Sequence, residues 1–183
     1  MLAQQTSYVI LPSNDSTLAI EVYRTGLMKR KHHLLFFERF RGEFSYNVEA
    51  PEAARITMEV DSASLVCRDK WLKPHRRQQV AHFAMQRLSG GEKPVITFAS
   101  TRVTPKPIRG FTIEGLLRVQ DISRSVNVNM VVNQTKPETL QMDGDATLRL
   151  SDFGMAGPSS LFGLIGTKDE ALVWILLWAR QSV

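Results

Sequence analysis

The sequence predicts a mainly β chain, a single antiparallel β-barrel of about eight strands with a helical insertion. Three observations carry that expectation. Apolar and polar residues alternate with period two through most of the chain, the mark of strands with one buried face. Short clusters rich in Gly, Pro, Asn and Ser separate those runs, as turns require. Only the stretch after Pro74 changes clearly to helical spacing.

The strands follow in order. Leu18, Ile20 and Val22 alternate with Ala19, Glu21 and Tyr23. A second short helix is expected around Leu27 to Leu35, then a strand from Phe36 to Tyr46. Ile56, Met58 and Val60 alternate with Thr57, Glu59 and Asp61. In the helical insertion Val80, Phe83, Ala84 and Leu88 share one face and Arg76 to Gln79 fill the other. Pro74 suits its first turn, and Ser89, Gly90 and Gly91 would stop it. Val95 to Val103 is the next strand, then Ile113, Gly115, Leu117 and Val119 alternate with Thr112, Glu114 and Arg118. Val126, Val128, Met130 and Val132 form one face of the following strand. Leu140 to Leu150 and Leu172 to Ala179 complete the set. Turns are expected at 47–51, 89–91, 105–110 and 133–137. No repeat or linker divides residues 1–183, so one domain is expected.

Composition narrows the class. With 43% hydrophobic and 22% charged residues, the chain matches an ordinary soluble protein. The longest apolar run, Ala171 to Ala179, is far short of the ~20 residues of a spanning helix. Charges on one face of most strands argue against a membrane barrel. No secretory signal is visible at Met1 to Ile10, so a cytoplasmic location is expected, or a periplasmic one if the chain is a processed form. Cys67 is the single cysteine, which excludes an intramolecular disulfide and reads as a structural thiol. The net charge of +5 suits solubility or anionic partners.

The sequence lacks a P-loop, a GxGxxG fingerprint, an HExxH pair and a GxSxG elbow. No catalytic residue, cofactor or metal is therefore expected. His32 and His33 are adjacent and point to opposite faces of a strand, and His75 and His82 are two helical turns apart, so no pair forms a local metal site. Asp143 and Asp145 fall on a polar strand face. The run Lys29, Arg30, Lys31 and His32 is the strongest charge feature. It reads as a solvated face or as a seat for an anionic ligand head. Phe36, Phe40 and Phe44 share a core parity, which argues against nucleic-acid binding.

The apolar phase of the strands places Ile20, Phe44, Ile56, Met58, Phe98, Ile113, Leu117, Met130 and Leu148 inward. A barrel of this size either fills with side chains or holds one small ligand. Gly115, Gly144 and Ala146 on the inward faces would leave space, and methionines would line it adaptably. Pattern alone leaves cavity and packed core open.

Several segments resemble the YceI-like family of lipocalin-like, lipid-binding barrels. Pro94, Ile96, Phe98 and Ser100 match its P-x-I-x-F-x-S strand, and Gly110 to Leu117 the strand and hairpin after it. Phe40 to Phe44 resembles its early G-x-F strand, and Ile56 to Leu65 its third. Arg68 to Leu72 opens a similar helical insertion, Asp152-Phe153-Gly154 a late turn, and Lys168-Asp169-Glu170 the start of the final strand. The resemblance implies a barrel whose interior holds a polyisoprenoid, isoprenoid quinone or fatty-acid-like lipid, with no enzymatic activity. It departs from the family in the basic run and paired histidines at 29–33 and in lacking a leader. The expected partner is thus a long-chain lipid and not nucleic acid. Transient membrane-surface contact and a homodimer stay open. So do two other readings, an enzyme using His32, His33 or the Asp143 and Asp145 pair, and a ligand-free scaffold. The segment Arg68 to Leu88 is the expected lid.

Overall fold

The computed structural model describes residues 5–25, 30–89, 95–155 and 167–182. Eleven antiparallel strands form one sheet in the order β1-β4-β5-β7-β8-β9-β10-β11-β2-β3-β6, and a further β1–β11 pairing closes it into a barrel. The barrel has eight staves, because three of them are each built from two strands end to end. β1 (Thr6–Ile10) and β2 (Thr17–Arg24) make the first, β3 (His32–Phe37) and β4 (Phe40–Tyr46) the second, β5 (Arg55–Asp61) and β6 (Leu65–Cys67) the third. The remaining five, β7 (Val95–Pro105), β8 (Phe111–Val119), β9 (Ile122–Lys136), β10 (Thr139–Arg149) and β11 (Thr167–Gln181), are continuous.

Specific polar contacts hold the breaks. Between β1 and β2 the Ser16 N–H donates to the Ser13 carbonyl at 3.0 Å, in a stretch where Pro12 withholds a ladder donor. Between β5 and β6 a 3-10 turn at Ser62–Ser64 is capped by the Asp61 carboxylate, which accepts from the Ala63 N–H at 2.8 Å. The same Asp61 pairs with Arg39 at 2.8 Å, and the Arg39 N–H donates to Ser64 Oγ at 2.9 Å. The breaks in the second and third staves thus lie side by side and satisfy each other's backbone groups.

This corrects two expectations. The strand expected from Phe36 to Tyr46 is divided at Glu38–Arg39, and part of the segment expected as a helix around Leu27 to Leu35 is strand β3. Leu34 and Leu35 have helical spacing to Lys31, but β3 pairs with β2 from Ala19 to Tyr23 and with β6 from Leu65 to Cys67. Tertiary ladders override the local pattern. Residues 27–29 lie outside the described residues. The turn expected at 133–137 also comes later, since β9 continues to Lys136.

Helix α1 (Pro74–Ser89) lies where it was expected. It buries Val80, Ala81, Ala84 and Leu88 and packs against β6, the edge strand at that end of the barrel. Its last turn is tied to two neighbours: Ser89 Oγ lies 3.0 Å from Ser62 Oγ, and the Gln120 side chain donates to the Arg87 carbonyl. Among the described residues no helix is long and apolar enough to cross a membrane.

Candidate functional site: an apolar cavity with a polar end

The inward faces of the staves enclose a cavity of about 140 Å³, and every described residue lining it is apolar. Of the nine residues expected inside, Ile20, Ile56, Met58, Phe98, Ile113, Leu117, Met130 and Leu148 line this cavity. Phe44 is buried at 2% exposure, but it packs elsewhere in the core, stacked on Tyr46 with ring centroids 5.3 Å apart. Eight of these side chains face the cavity because a strand that fills one face of a barrel has no freedom to slip by one residue.

The lining also includes residues the parity reading did not single out. Leu88 of α1 closes one side, and Phe153 and Met155, around the 3-10 turn after β10, close another. That turn is held to β11 by Asp169, which accepts from the Ser151 N–H at 2.7 Å and from Ser151 Oγ at 2.6 Å. These bonds, with Arg149 at 3.5 Å, keep the Asp169 carboxyl below its ordinary range.

The inward glycines do not create the space expected of them. A Cβ on Gly115 would collide with the Phe98 ring, one on Gly144 with the Asn129 carbonyl, and one on Gly42 with Met58 Sδ. Gly42 and Gly144 stand directly opposite Met58 and Met130 in the ladder. Each glycine is a seat on which a large neighbouring side chain lies down against the wall. Ala146 alone of the three expected small residues faces the cavity.

At the end nearest α1 the interior becomes polar. His33 shares the inward phase of Leu35 and is fully buried. Its Nδ1 lies 2.8 Å from Asp69 Oδ2, and the Leu34 N–H donates to Asp69 Oδ1 at 3.0 Å. Trp71 packs on the His33 ring, centroid to centroid 5.4 Å. Burial alone would raise the Asp69 carboxyl, but hydrogen bonds from His33, Leu34 and Cys67 more than offset it and hold the group below its ordinary range. Burial likewise dominates at Cys67 and pushes its thiol up to about 12. A thiol so far from ionising is a poor nucleophile.

Donor atoms of His33, Cys67 and Asp69 lie within 4.8 Å of one another. A cation there would have to break the His33–Asp69 bond and strip the Cys67 proton, so the cluster is better suited to structure than to ligation. The sequence reading missed it because His33 and Asp69 are 36 residues apart. The available signal was the parity of His33 with Leu35.

The other expected candidates that the structure describes lie outside the barrel. Lys29 is outside the described residues, and Arg30 and Lys31 are exposed. Lys31 Nζ sits 5.2 Å from the Trp71 ring centroid. His32 is on the outer face, 3.6 Å from Glu21 and against Tyr23, so it cannot meet a head inside the barrel. Asp143 and Asp145 are exposed on the outer face, with Asn129 donating to Asp145 at 3.2 Å. His75 and His82 are exposed on α1.

A closed antiparallel barrel around an all-apolar cavity defines a class of small-molecule-binding folds. The YceI-like domain profile matches residues 8–173, and the chain belongs to the YceI-like family. Curated relatives include UPF0312 proteins of Pseudomonas savastanoi and Pseudomonas syringae, 26% identical over 131 residues. That match covers 67% of this chain and 63% of theirs. Among solved structures, Burkholderia cenocepacia BcnA superposes with a TM-score of 0.70 at 20% identity, covering 90% of this chain and 96% of its own. A polyisoprenoid-binding domain from Saccharophagus degradans, implicated in plant cell wall breakdown, gives 0.64 at 9% identity, covering 95% and 98%. The Campylobacter jejuni YCEI protein gives 0.61 at 14% identity, covering 81% and 85%. At these identities the structural likenesses establish the fold.

Proposed function

We propose that this chain is a non-catalytic binding module that carries or sequesters a long-chain apolar or amphiphilic ligand in the barrel. The ligand class is a polyisoprenoid, an isoprenoid quinone or a fatty-acid-like lipid. The observation that carries this reading is the lining, apolar at every described residue, which offers a tail only burial. Burial suffices, at about 0.8 kcal/mol per methylene. The shared fold of the polyisoprenoid-binding domain from Saccharophagus degradans supports the same class.

The void is small. Its volume of about 140 Å³ is close to that of a cavity that accepts a benzene ring. A long tail therefore needs the wall to yield. The residues able to yield are Met58, Met130 and Met155, whose unbranched side chains repack easily, and Leu88, which moves with α1. Binding is thus expected to couple to displacement of the helix.

Organic extraction of the purified protein followed by mass spectrometry tests the reading, together with titration of the delipidated protein with prenols of increasing length. A co-purified prenyl or acyl lipid, and affinity that climbs with tail length, are the expected results. A lipid-free extract with no binding at any length would leave the barrel a packed scaffold.

A further inference from the structure

Arg24 is the last residue of β2. It continues the inward phase of Leu18 and Ile20, both of which line the cavity, and of the buried Val22. The outward phase is marked by Glu21 beneath Trp174, at 2.8 Å, and by Tyr23 against His32. Arg24 is only 6% exposed. Its Nε is enclosed and makes no hydrogen bond, and none of the ion pairs among the described residues includes it.

The buried acids among the described residues are Glu21 and Asp69, and both are engaged elsewhere. Glu21 accepts from Trp174 and faces His32 on the outer side. Asp69 spends both oxygens on His33 and the Leu34 N–H. An enclosed arginine cannot relieve its position by losing a proton, as a lysine can. A cation this far buried, with no counter-charge among the described residues, is costly. Such a group is retained most economically where an anion arrives to meet it.

We propose that Arg24 is the headgroup residue of this barrel and selects long-chain ligands that end in an oxyanion, a carboxylate or a phosphate. The inference rests on the cavity reading above. Arg24 lies four positions beyond Ile20, about 13 Å along a strand, so a tail among the apolar residues places its head beside the guanidinium. The planar fork of Arg24 suits two oxygens of one head.

The test uses pairs of ligands with one tail and two heads. Hexadecanoate is compared with hexadecanol, and farnesyl phosphate with farnesol, by calorimetric titration of the delipidated full chain. Each acid is expected to bind about tenfold or more tighter than its alcohol, the scale of a charge-assisted hydrogen bond. The pair with the larger ratio distinguishes carboxylate from phosphate. In Arg24→Met the ratio is expected to collapse to near one with alcohol affinity unchanged. The ligand-free variant should melt no lower than the wild type, because a buried unpaired charge has been removed. Arg24→Lys should retain part of the preference.

The exposed Arg30 and Lys31 offer a rival source of anion preference, and salt separates the two. Preference from a surface cluster fades in about 0.5 M salt, whereas preference from a largely buried guanidinium persists. That arm decides the matter even if Arg24→Met does not fold. Equal binding of acid and alcohol to the wild type, or a preference that Arg24→Met retains or salt abolishes, overturns the role of Arg24 and leaves the cavity reading intact. Failure of the alcohols and acids alike to bind overturns the cavity reading itself.

Discussion

The five continuous staves and the three broken ones are built from similar sequence and behave as different materials. From β7 to β11 every residue that lines the cavity is apolar, and the β10–β11 ladder runs unbroken for 11 register pairs. The broken staves carry the polar interior. Arg24, His33, Cys67 and Asp69 all belong to β2, β3, β6 or the segment leading to α1. Breaking a stave exposes backbone groups to side-chain partners and lets the wall turn from strand into helix. The lesson is a division of labour, in which the regular half supplies stability and the interrupted half supplies chemistry and motion.

The largest expected effect is on the regular half. Met142 is completely buried on β10, and Met142→Ala should cost about 3 kcal/mol of global stability, read as a shift in the urea midpoint with unchanged slope. A loss below about 1 kcal/mol would mean that the wall relaxes and is not the rigid half.

Next comes the polar cluster. Asp69→Asn should cost about 2–3 kcal/mol at neutral pH, because it leaves His33 without its carboxylate. Because the folded Asp69 carboxyl is depressed, its stabilising contribution is present above the ordinary aspartate value of 3.8 and is lost as pH falls from there through the folded value. Wild-type stability should therefore drop over that acid window, and the drop should be shallower in Asp69→Asn. Parallel acid profiles would remove Asp69 from the account.

The helix should show a smaller effect on folding and a larger one on opening. Leu88→Ala is expected to cost about 2 kcal/mol and to speed hydrogen exchange in α1 while leaving β7 slow. In the wild type, exchange in α1 should already exceed that in β7 and should slow when a prenol binds. Equal protection of helix and strand, indifferent to ligand, would mean that access lies elsewhere.

Cys67 sharpens the contrast without any mutation. With its thiol pushed up to about 12, the folded protein should react with a thiol reagent at pH 8 far more slowly than the unfolded chain. The smallest effect belongs to the exposed Arg41–Glu59 pair at 2.6 Å, where Glu59→Gln should change stability by less than about 1 kcal/mol.

The same division governs how much the sequence discloses. Alternation along Ile113 to Val119 or Leu140 to Leu150 is sufficient to place side chains, because a continuous strand has one buried face and one register. Where the staves break, local pattern fails. Nothing near Glu38 announces that Ser64, 25 residues from Arg39, will receive the Arg39 N–H. Gly115 looks like empty space until Phe98 from the next strand is laid over it. His33 and Arg24 were legible in principle, since each continues an apolar phase with a polar residue, and such a break in phase inside a barrel marks where its interior changes character.

The closing seam has a consequence for how the molecule is made. β11 is the shared neighbour of β1, through Ala179 to Gln181, and of β2, through Thr167 to Leu176. Until it has been synthesised, the first stave lacks its partner on that side and the sheet stays open as a curved ribbon with an unpaired edge. Joining segments about 170 residues apart is entropically slow. The ring therefore shuts late on the ribosome's timescale, and during that interval an apolar ligand meets a trough, not a closed vessel.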